Sequence, residues 1–228
     1  MKDRFLLKSF IYRGWSTILT FVIAFAFTGE FLISGGIAFA ELLFKTLSYY
    51  LFEIIWNRLT KKNMQTIWFN GLSGSGKTTL GNELVSFYEK QNKKVFLLDG
   101  DVLRDGLNSN LGFSIADRQE NLRRAAEVAK ILNQNGIIVI ATFITPTNEI
   151  REMIRKIIPH IKFVHLCTSL ETCEKRDTKG LYAKARAGQL KDFTGIDSPF
   201  EPMPHAWLNI DTGVETVDES VTKLTNRL

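Results

Sequence analysis

Between residues 66 and 90 this chain passes from a strand-like run, through a glycine-rich turn, into a helix. No other feature constrains the fold as strongly. Thr66-Ile67-Trp68-Phe69-Asn70 is largely apolar, and Thr79 to Lys90 carries Leu80, Leu84 and Phe87 on one helical face. The turn between them reads Gly71-Leu72-Ser73-Gly74-Ser75-Gly76-Lys77-Thr78, the spacing G-x-x-x-x-G-K-[ST] of a phosphate-cradling P-loop. Such a turn aims backbone N–H groups and a helix N-terminus at a polyphosphate. Lys77 is expected on the β- and γ-phosphates, and the Thr78 hydroxyl on Mg²⁺.

From Gln65 onward the hydrophobic period alternates. Val95–Leu98, Ile137–Phe143, Phe163–Cys167 and Trp207–Ile210 read as buried strands. Between and after them come helical patterns over Arg118–Asn133, Glu149–Ile158 and Asp218–Leu228, the first ended by Gly136 and the second by Pro159. Strands alternating with helices predict an α/β domain, a parallel sheet wrapped by helices on both faces. A length of 228 residues allows one such domain plus something smaller.

The smaller part is the first 60 residues, which are far more apolar than the rest. From Thr17 to Phe44 the only charges are Glu30 and Glu41. The stretch is too long for a secretory signal. Thr28-Gly29-Glu30 offers a break, giving helices from about Leu6 to Thr28 and from about Phe31 to Trp56, each long enough for a tilted crossing of ~30 Å of hydrocarbon. One continuous helix also fits the composition. Topology favours two crossings, because both flanks are basic (Lys2, Arg4, Lys8, Arg13; then Arg58, Lys61, Lys62) and the phosphate site belongs on the cytoplasmic side. Tyr12, Trp15, Tyr49, Tyr50 and Trp56 fall where interfacial aromatics belong. Glu41 and Lys45, one turn apart, read as an ion pair. The expected organisation is a transmembrane hairpin over 1–60, a polar linker over 61–65 and the α/β domain over 66–228.

The net charge of +5 lies partly at the flanks of the apolar segment, so it argues for membrane topology and not for nucleic-acid binding. Cys167 and Cys173 have no metal-ligand or redox spacing, and His160, His165 and His205 are scattered. The chemistry gathers elsewhere. Leu97-Leu98-Asp99-Gly100-Asp101 ends the second strand, and carboxylates at strand ends lie in the crevice where open α/β sheets bind ligands. Two aspartates beside a P-loop can serve Mg²⁺ and an attacking hydroxyl. Arg104, Arg118, Arg123 and Arg124 include candidates for an anionic substrate, with composition silent on which. Lys179 to Phe200 is basic and glycine-containing, in the manner of a lid over phosphates or of a solvated surface segment.

Taken together, Gly71 to Thr79, Leu98-Asp99-Gly100-Asp101 with Arg104, Asn110 to Ser114 with Asp117-Arg118 and Asn121, Phe143-Ile144-Thr145-Pro146, and Lys179 to Asp197 resemble the adenylylsulfate kinase family over nearly all of residues 66–228. The resemblance implies a P-loop NTPase fold of the nucleotide-kinase kind. It implies transfer of the ATP γ-phosphate to the 3′-hydroxyl of adenosine 5′-phosphosulfate. ATP and Mg²⁺ would sit on Gly71–Thr79, with Asp99 near the metal and Asp101 orienting or deprotonating the hydroxyl. Arg104, Arg118 and Asn121 would hold the phosphosulfate substrate, Phe113 and Phe193 would stack on its adenine, and Ile144, Thr145 and Lys179 would complete the substrate site. A homodimer is also implied. The first 60 residues resemble a small bacterial two-helix membrane domain of unknown function; with the basic flanks, the expectation is a protein of the bacterial cytoplasmic membrane with the kinase domain and both termini inside.

Three positions depart from the family pattern: Thr145 stands where a phosphorylated serine is usual, Thr147 where an aromatic is usual, and Asp105 where histidine is common. They leave room for a different anionic nucleotide acceptor.

Overall fold

The computed structural model describes residues 2–61 and 65–228, which form two compact units divided between Lys61 and Lys62. Residues 62–64, most of the expected linker, lie outside the described residues. So do the side chains of residues 2–13, 53 and 55–61, among them Tyr12, Trp56 and the basic flanks.

The first unit is two long helices, α1 (Lys2–Thr28) and α2 (Phe31–Lys61). Gly29 makes the turn at φ +67°, a conformation that costs glycine nothing. Thr28 and Ser34 hydroxyls meet across that turn at 3.0 Å, and Lys45 Nζ donates to Ser16 Oγ at 2.6 Å further along, so the helices run antiparallel. Lys45 also pairs with Glu41, as expected. Ser34 and Ala38 are buried between the helices, while Phe27 and Leu32 are each 88% exposed. Among the described residues, one helical stretch, Phe31–Phe52, is long and apolar enough to cross a membrane; the apolar part of α1, Gly14–Thr28, is shorter.

The second unit is a five-stranded parallel sheet in the order β2-β3-β1-β4-β5, built from β1 (Thr66–Asn70), β2 (Val95–Asp99), β3 (Ile138–Phe143), β4 (Lys162–Leu166) and β5 (Leu208–Ile210). Helices cover both faces. On one, Leu122, Ala125, Ala126 and Ala129 of α5 (Ile115–Gln134) and Ile150 and Ile154 of α6 (Asn148–Ile157) pack on Trp68, Val139 and Phe163. On the other, α3 (Lys77–Lys90) and α9 (Val217–Thr225) pack on Ile67, Phe69, Ile140 and Val164. Alternate residues of one strand thus feed two cores, as a sheet buried on both faces requires. The third anchor of α3 is Tyr88, buried at i+4 from Leu84, while the expected Phe87 is only partly covered. β2 is an edge strand with Phe96 half exposed, not the fully buried run expected.

Three short helices complete the unit: α4 (Gly100–Asp105), α7 (Leu170–Arg176) and α8 (Leu181–Arg186). The chain leaves β1 for β2 on one side and later returns to β4 on the other. The loop after β1 therefore sits at the switch point of the sheet, where such folds bind ligands.

Candidate active site

The loop after β1 is shaped for phosphate. Gly76, at φ +90°, is the N-cap of α3, and no side chain caps the helix. Five other helices of this unit have a capping Asp, Ser or Thr at that position. The uncapped amides of α3 are the ones a polyphosphate would take. A Cβ on Gly71 would lie 2.6 Å from Ser75 Oγ and 3.1 Å from Leu166 O, so a side chain there would force the loop to shift. Lys77 Nζ folds back to donate to Leu72 O at 2.6 Å, and burial pulls its pKa down to about 8. An anion beside it would restore the charge.

Beside the loop, Thr78 Oγ1 donates to Asp99 Oδ2 at 3.0 Å, and Thr142 Oγ1 donates to the same oxygen at 2.7 Å. Asp99 Oδ1 accepts from the Asp101 amide at 2.9 Å, because Asp99 is the N-cap of α4. Burial pushes the Asp99 carboxyl up, but these hydrogen bonds outweigh it and hold the group below its ordinary range. One hydroxyl and one carboxylate within hydrogen-bond reach are hard oxygen donors. They fit Mg²⁺, which takes its remaining ligands from phosphates and water. Asp101, two residues on, is exposed and ion-paired with Lys179.

All of these groups open onto one cavity of about 1050 Å³. Ser73, Gly74, Gly76, Lys77, Thr78 and Thr79 line one part of it, and Asp99 and Asp101 the middle. Arg104, Phe113, Arg118, Asn121 and Ile144 line another part, and Lys179 and Phe193 come from the 179–200 segment. Two guanidiniums lie near the Phe113 ring, Arg104 at 4.3 Å and Arg118 at 5.4 Å from its centroid. Arg118 is buried, donates to the carbonyls of Phe113 and Asp192 at 2.9 Å each, and is pulled down to about 10 by burial and by the Arg104 charge. Asn121 is held by Asn108, whose Nδ2 donates to its Oδ1 at 2.7 Å. Arg123 and Arg124 instead pair with Glu120 and belong to the helix surface.

Four expected site residues do not line the cavity. Gly71, Leu72 and Ser75 shape the loop from behind. Thr145 is fully buried: its hydroxyl accepts from Trp68 Nε1 at 2.9 Å and its amide donates to Asn70 Oδ1 at 2.9 Å. It fixes the end of β3 to β1, and its side chain turns away from the cavity that its neighbour Ile144 lines, unlike the placement expected for a catalytic or substrate-binding hydroxyl. Thr147 caps α6, and Asp105 is exposed at the end of α4, so none of the three departures from the family pattern faces the cavity.

The 179–200 segment is not a plain solvated loop. Tyr182 and Phe193 meet edge to face at 4.9 Å within a small core that includes Leu72 and Cys173. Tyr182 OH donates to Ser73 O at 2.9 Å, tying the segment to the P-loop. Sequence reasoning missed Tyr182, and also Thr142. It missed Arg176 and Thr212 as well, which hold the P-loop carbonyls of Gly74 (3.3 Å) and Ser75 (2.9 Å) respectively. Thr142 had a signal: it is the one hydroxyl in an otherwise apolar run, at the ligand end of the strand.

With that geometry in view, the comparisons are specific. The family model described as adenylylsulphate kinase matches residues 63–211. The chain belongs to the adenylylsulfate kinase family. Among its relatives, the adenylyl-sulfate kinase of Bacteroides fragilis is 51% identical over 168 residues, 73% of this chain and 83% of that protein. The Mycobacterium tuberculosis APS kinase CysC, solved with AMPPNP and APS, matches with TM-score 0.69 and 41% identity over 72% of this chain and 96% of that one. A hexameric APS kinase from Thiobacillus denitrificans matches at 30% identity and TM-score 0.55, over 72% of this chain and 28% of that one. The second unit therefore has the P-loop kinase fold. Residues 6–57 match a separate family described as a predicted membrane protein (DUF2061), so the kinase-family domain follows a domain of another lineage.

Proposed function

We propose that the chain is a membrane-anchored adenylylsulfate kinase, transferring the γ-phosphate of ATP to the 3′-hydroxyl of adenosine 5′-phosphosulfate and yielding 3′-phosphoadenosine 5′-phosphosulfate. One observation carries the reading: a single cavity joins an uncapped phosphate loop, an aspartate pair and an arginine-flanked aromatic ring. The loop amides and Lys77 bind and orient the donor phosphates. Phe113 offers a π-face to the acceptor base, and Arg104 and Arg118 place fixed cations beside its anionic 5′ end. Asn121, Ile144 and Phe193 complete the acceptor wall. Asp101 orients the acceptor hydroxyl and takes its proton, exchanging its partner Lys179 for the substrate; Lys179 then lies free to meet phosphate charge. Thr78 and Asp99 would hold Mg²⁺, which when bound neutralises charge on the transferring phosphate.

The departures Thr145, Thr147 and Asp105 lie off the cavity, which favours adenylylsulfate over another nucleotide. Assay with ATP and a panel of nucleotide acceptors tests this. The 3′-phosphorylated product is expected from adenylylsulfate at a rate well above all others, and a higher rate with another nucleotide overturns the assignment.

For the first unit we propose two crossings of the bacterial cytoplasmic membrane, with lipid against the exposed Phe and Leu side chains and both termini and the kinase domain inside. The antiparallel hairpin and the basic flanks support it. A reporter fused at Gly29-Glu30 is expected outside the cytoplasm; a cytoplasmic signal there contradicts it. A homodimer is the proposed assembly, checked by mass measurement in detergent.

A further inference from the structure

Behind the cavity wall sits a guanidinium that the reaction does not use. Arg151, on α6, is 2% exposed, and all five of its N–H groups are spent. Nε donates to Thr145 O at 3.0 Å. Nη2 donates to Pro146 O at 3.1 Å and to Glu201 O at 2.7 Å. Nη1 donates to Pro202 O at 2.9 Å and to Asn148 Oδ1 at 2.8 Å. Four of the five acceptors are main-chain carbonyls, and none is a carboxylate. The Glu201 carboxylate instead accepts the Asn148 amide at 2.6 Å.

The four carbonyls belong to two segments. Thr145 and Pro146 follow directly on Phe143 and Ile144, which line the acceptor end of the cavity. Glu201 and Pro202 follow directly on the 179–200 segment, whose Lys191, Asp192 and Phe193 line the same end. One backbone bond, Glu201 N to Pro146 O at 2.8 Å, links the segments without help. The hydrogen bonds described from the P-loop to other segments run to Asp99, Tyr182, Arg176 and Thr212 and do not involve Arg151; of these, only Tyr182 lies on the 179–200 segment, near the end far from Glu201.

We infer that Arg151 is a positioning residue that locks the end of β3 to the end of the 179–200 segment and so fixes the width of the acceptor site, leaving the donor site untouched. Its fork is what this junction requires: five donors in one plane reach five acceptors on two stretches, 145–148 and 201–202, where an ammonium has three donors and no plane. The inference rests on the acceptor assignment proposed above for that end of the cavity.

The test is Arg151→Lys in the full chain, purified in detergent and assayed well below its own melting temperature. The expected result is a KM for adenylylsulfate raised about tenfold, with the KM for ATP within about twofold of wild type, since displacement of a wall residue costs acceptor binding and not donor binding. A lower melting temperature with both KM values unchanged, or both raised equally, overturns it. Should Arg151→Lys not fold, Asn148→Ala removes one of the five acceptors, and a two- to threefold rise in the acceptor KM alone is expected. Again, no split between the two KM values overturns the inference. The outcomes are separable from those of the acceptor assignment: wild type that phosphorylates a different nucleotide overturns that assignment, and the same KM split is then read with that nucleotide.

Discussion

The two units of this chain send the same side chains to opposite places. In the second unit Leu84 and Phe69 are fully buried, and polar groups converge on the ligand end of the sheet. In the first, Leu32 and Phe27 are 88% exposed, while Ser34 is buried between the helices and Lys45 reaches across to Ser16. Water drives the first arrangement by the free energy of apolar burial. The second is the arrangement of helices whose surroundings are themselves apolar, where small and hydroxyl-bearing residues gather at the helix contact. An exposed apolar surface of that extent is unstable in water without a cover. The contrast separates a unit that gathers polar groups at one cavity from one that turns its apolar side chains outward, which is the basis of the proposed anchor.

The sharpest way to break this division is to disable one side and watch the other. Lys77→Ala is expected to lower kcat by about 10³-fold, because it removes a charge aimed at the transferring phosphate. The variant should still sediment with membranes, and a rate near wild type contradicts the P-loop assignment. Deletion of residues 1–61 is the converse. The protein should move from pellet to supernatant with kcat within about twofold; loss of activity would show that the hairpin does more than anchor.

Matched leucine truncations sharpen the contrast. Leu84→Ala should cost the kinase unit about 3 kcal/mol in chemical denaturation, as for a well-packed core leucine. Leu32→Ala should leave that unit's stability within about 0.5 kcal/mol. Equal effects would mean that the units share a core. Lys45→Ala strips Glu41 of its partner and should lower the membrane-inserted fraction, at a cost of about 2 kcal/mol, with Glu41→Gln restoring it. Unchanged insertion would place the pair outside the hydrocarbon.

The smallest expected effect is a pH dependence confined to the kinase unit. His165 is buried on β4 with Nδ1 unpartnered and its ring stacked 6.0 Å from Phe200. Burial, then the Arg151 charge, pull its pKa below the ordinary 6.5, against a backbone hydrogen bond to Asn70. The folded state therefore binds this proton less readily than the unfolded chain. Stability is full above pH 6.5 and falls as pH drops from there to the lowered folded value, by at most about 1.4 kcal/mol per unit. His165→Asn should flatten that slope in urea titrations at stepped pH, and an unchanged slope assigns the dependence elsewhere.

Much of this was readable before any coordinates. The five strands announce themselves as apolar runs, and α3 and α5 are long enough to show a helical period. The helices that escaped are α4 and α7, of six and seven residues, too short to complete two turns and so without a period to detect. Their caps, Asp99 and Ser169, were visible only as polar residues after strands. The P-loop and the aspartate pair were legible because spacing carries them, whereas Arg104, Arg118 and Phe113 were singled out only by the family resemblance. Thr142 on Asp99, Tyr182 on Ser73 and the burial of Thr145 were not, because each depends on contacts between segments distant in sequence. Thr145 is the instructive case. A hydroxyl in a catalytic-looking tripeptide turned inward to meet Trp68, and nothing local to the tripeptide records that.

The central claim is that a phosphate loop and an acceptor site built for a sulfated nucleotide share one cavity on a membrane-held kinase. The most direct test is steady-state turnover of membrane fractions carrying the full chain, with ATP and Mg²⁺, read as the phosphorylated nucleotide formed and the position of its new phosphate. The account predicts 3′-phosphoadenosine 5′-phosphosulfate from adenylylsulfate, formed by the pelleted fraction and abolished by Lys77→Ala. Membranes that hold the folded protein yet form no 3′-phosphorylated product from adenylylsulfate contradict it.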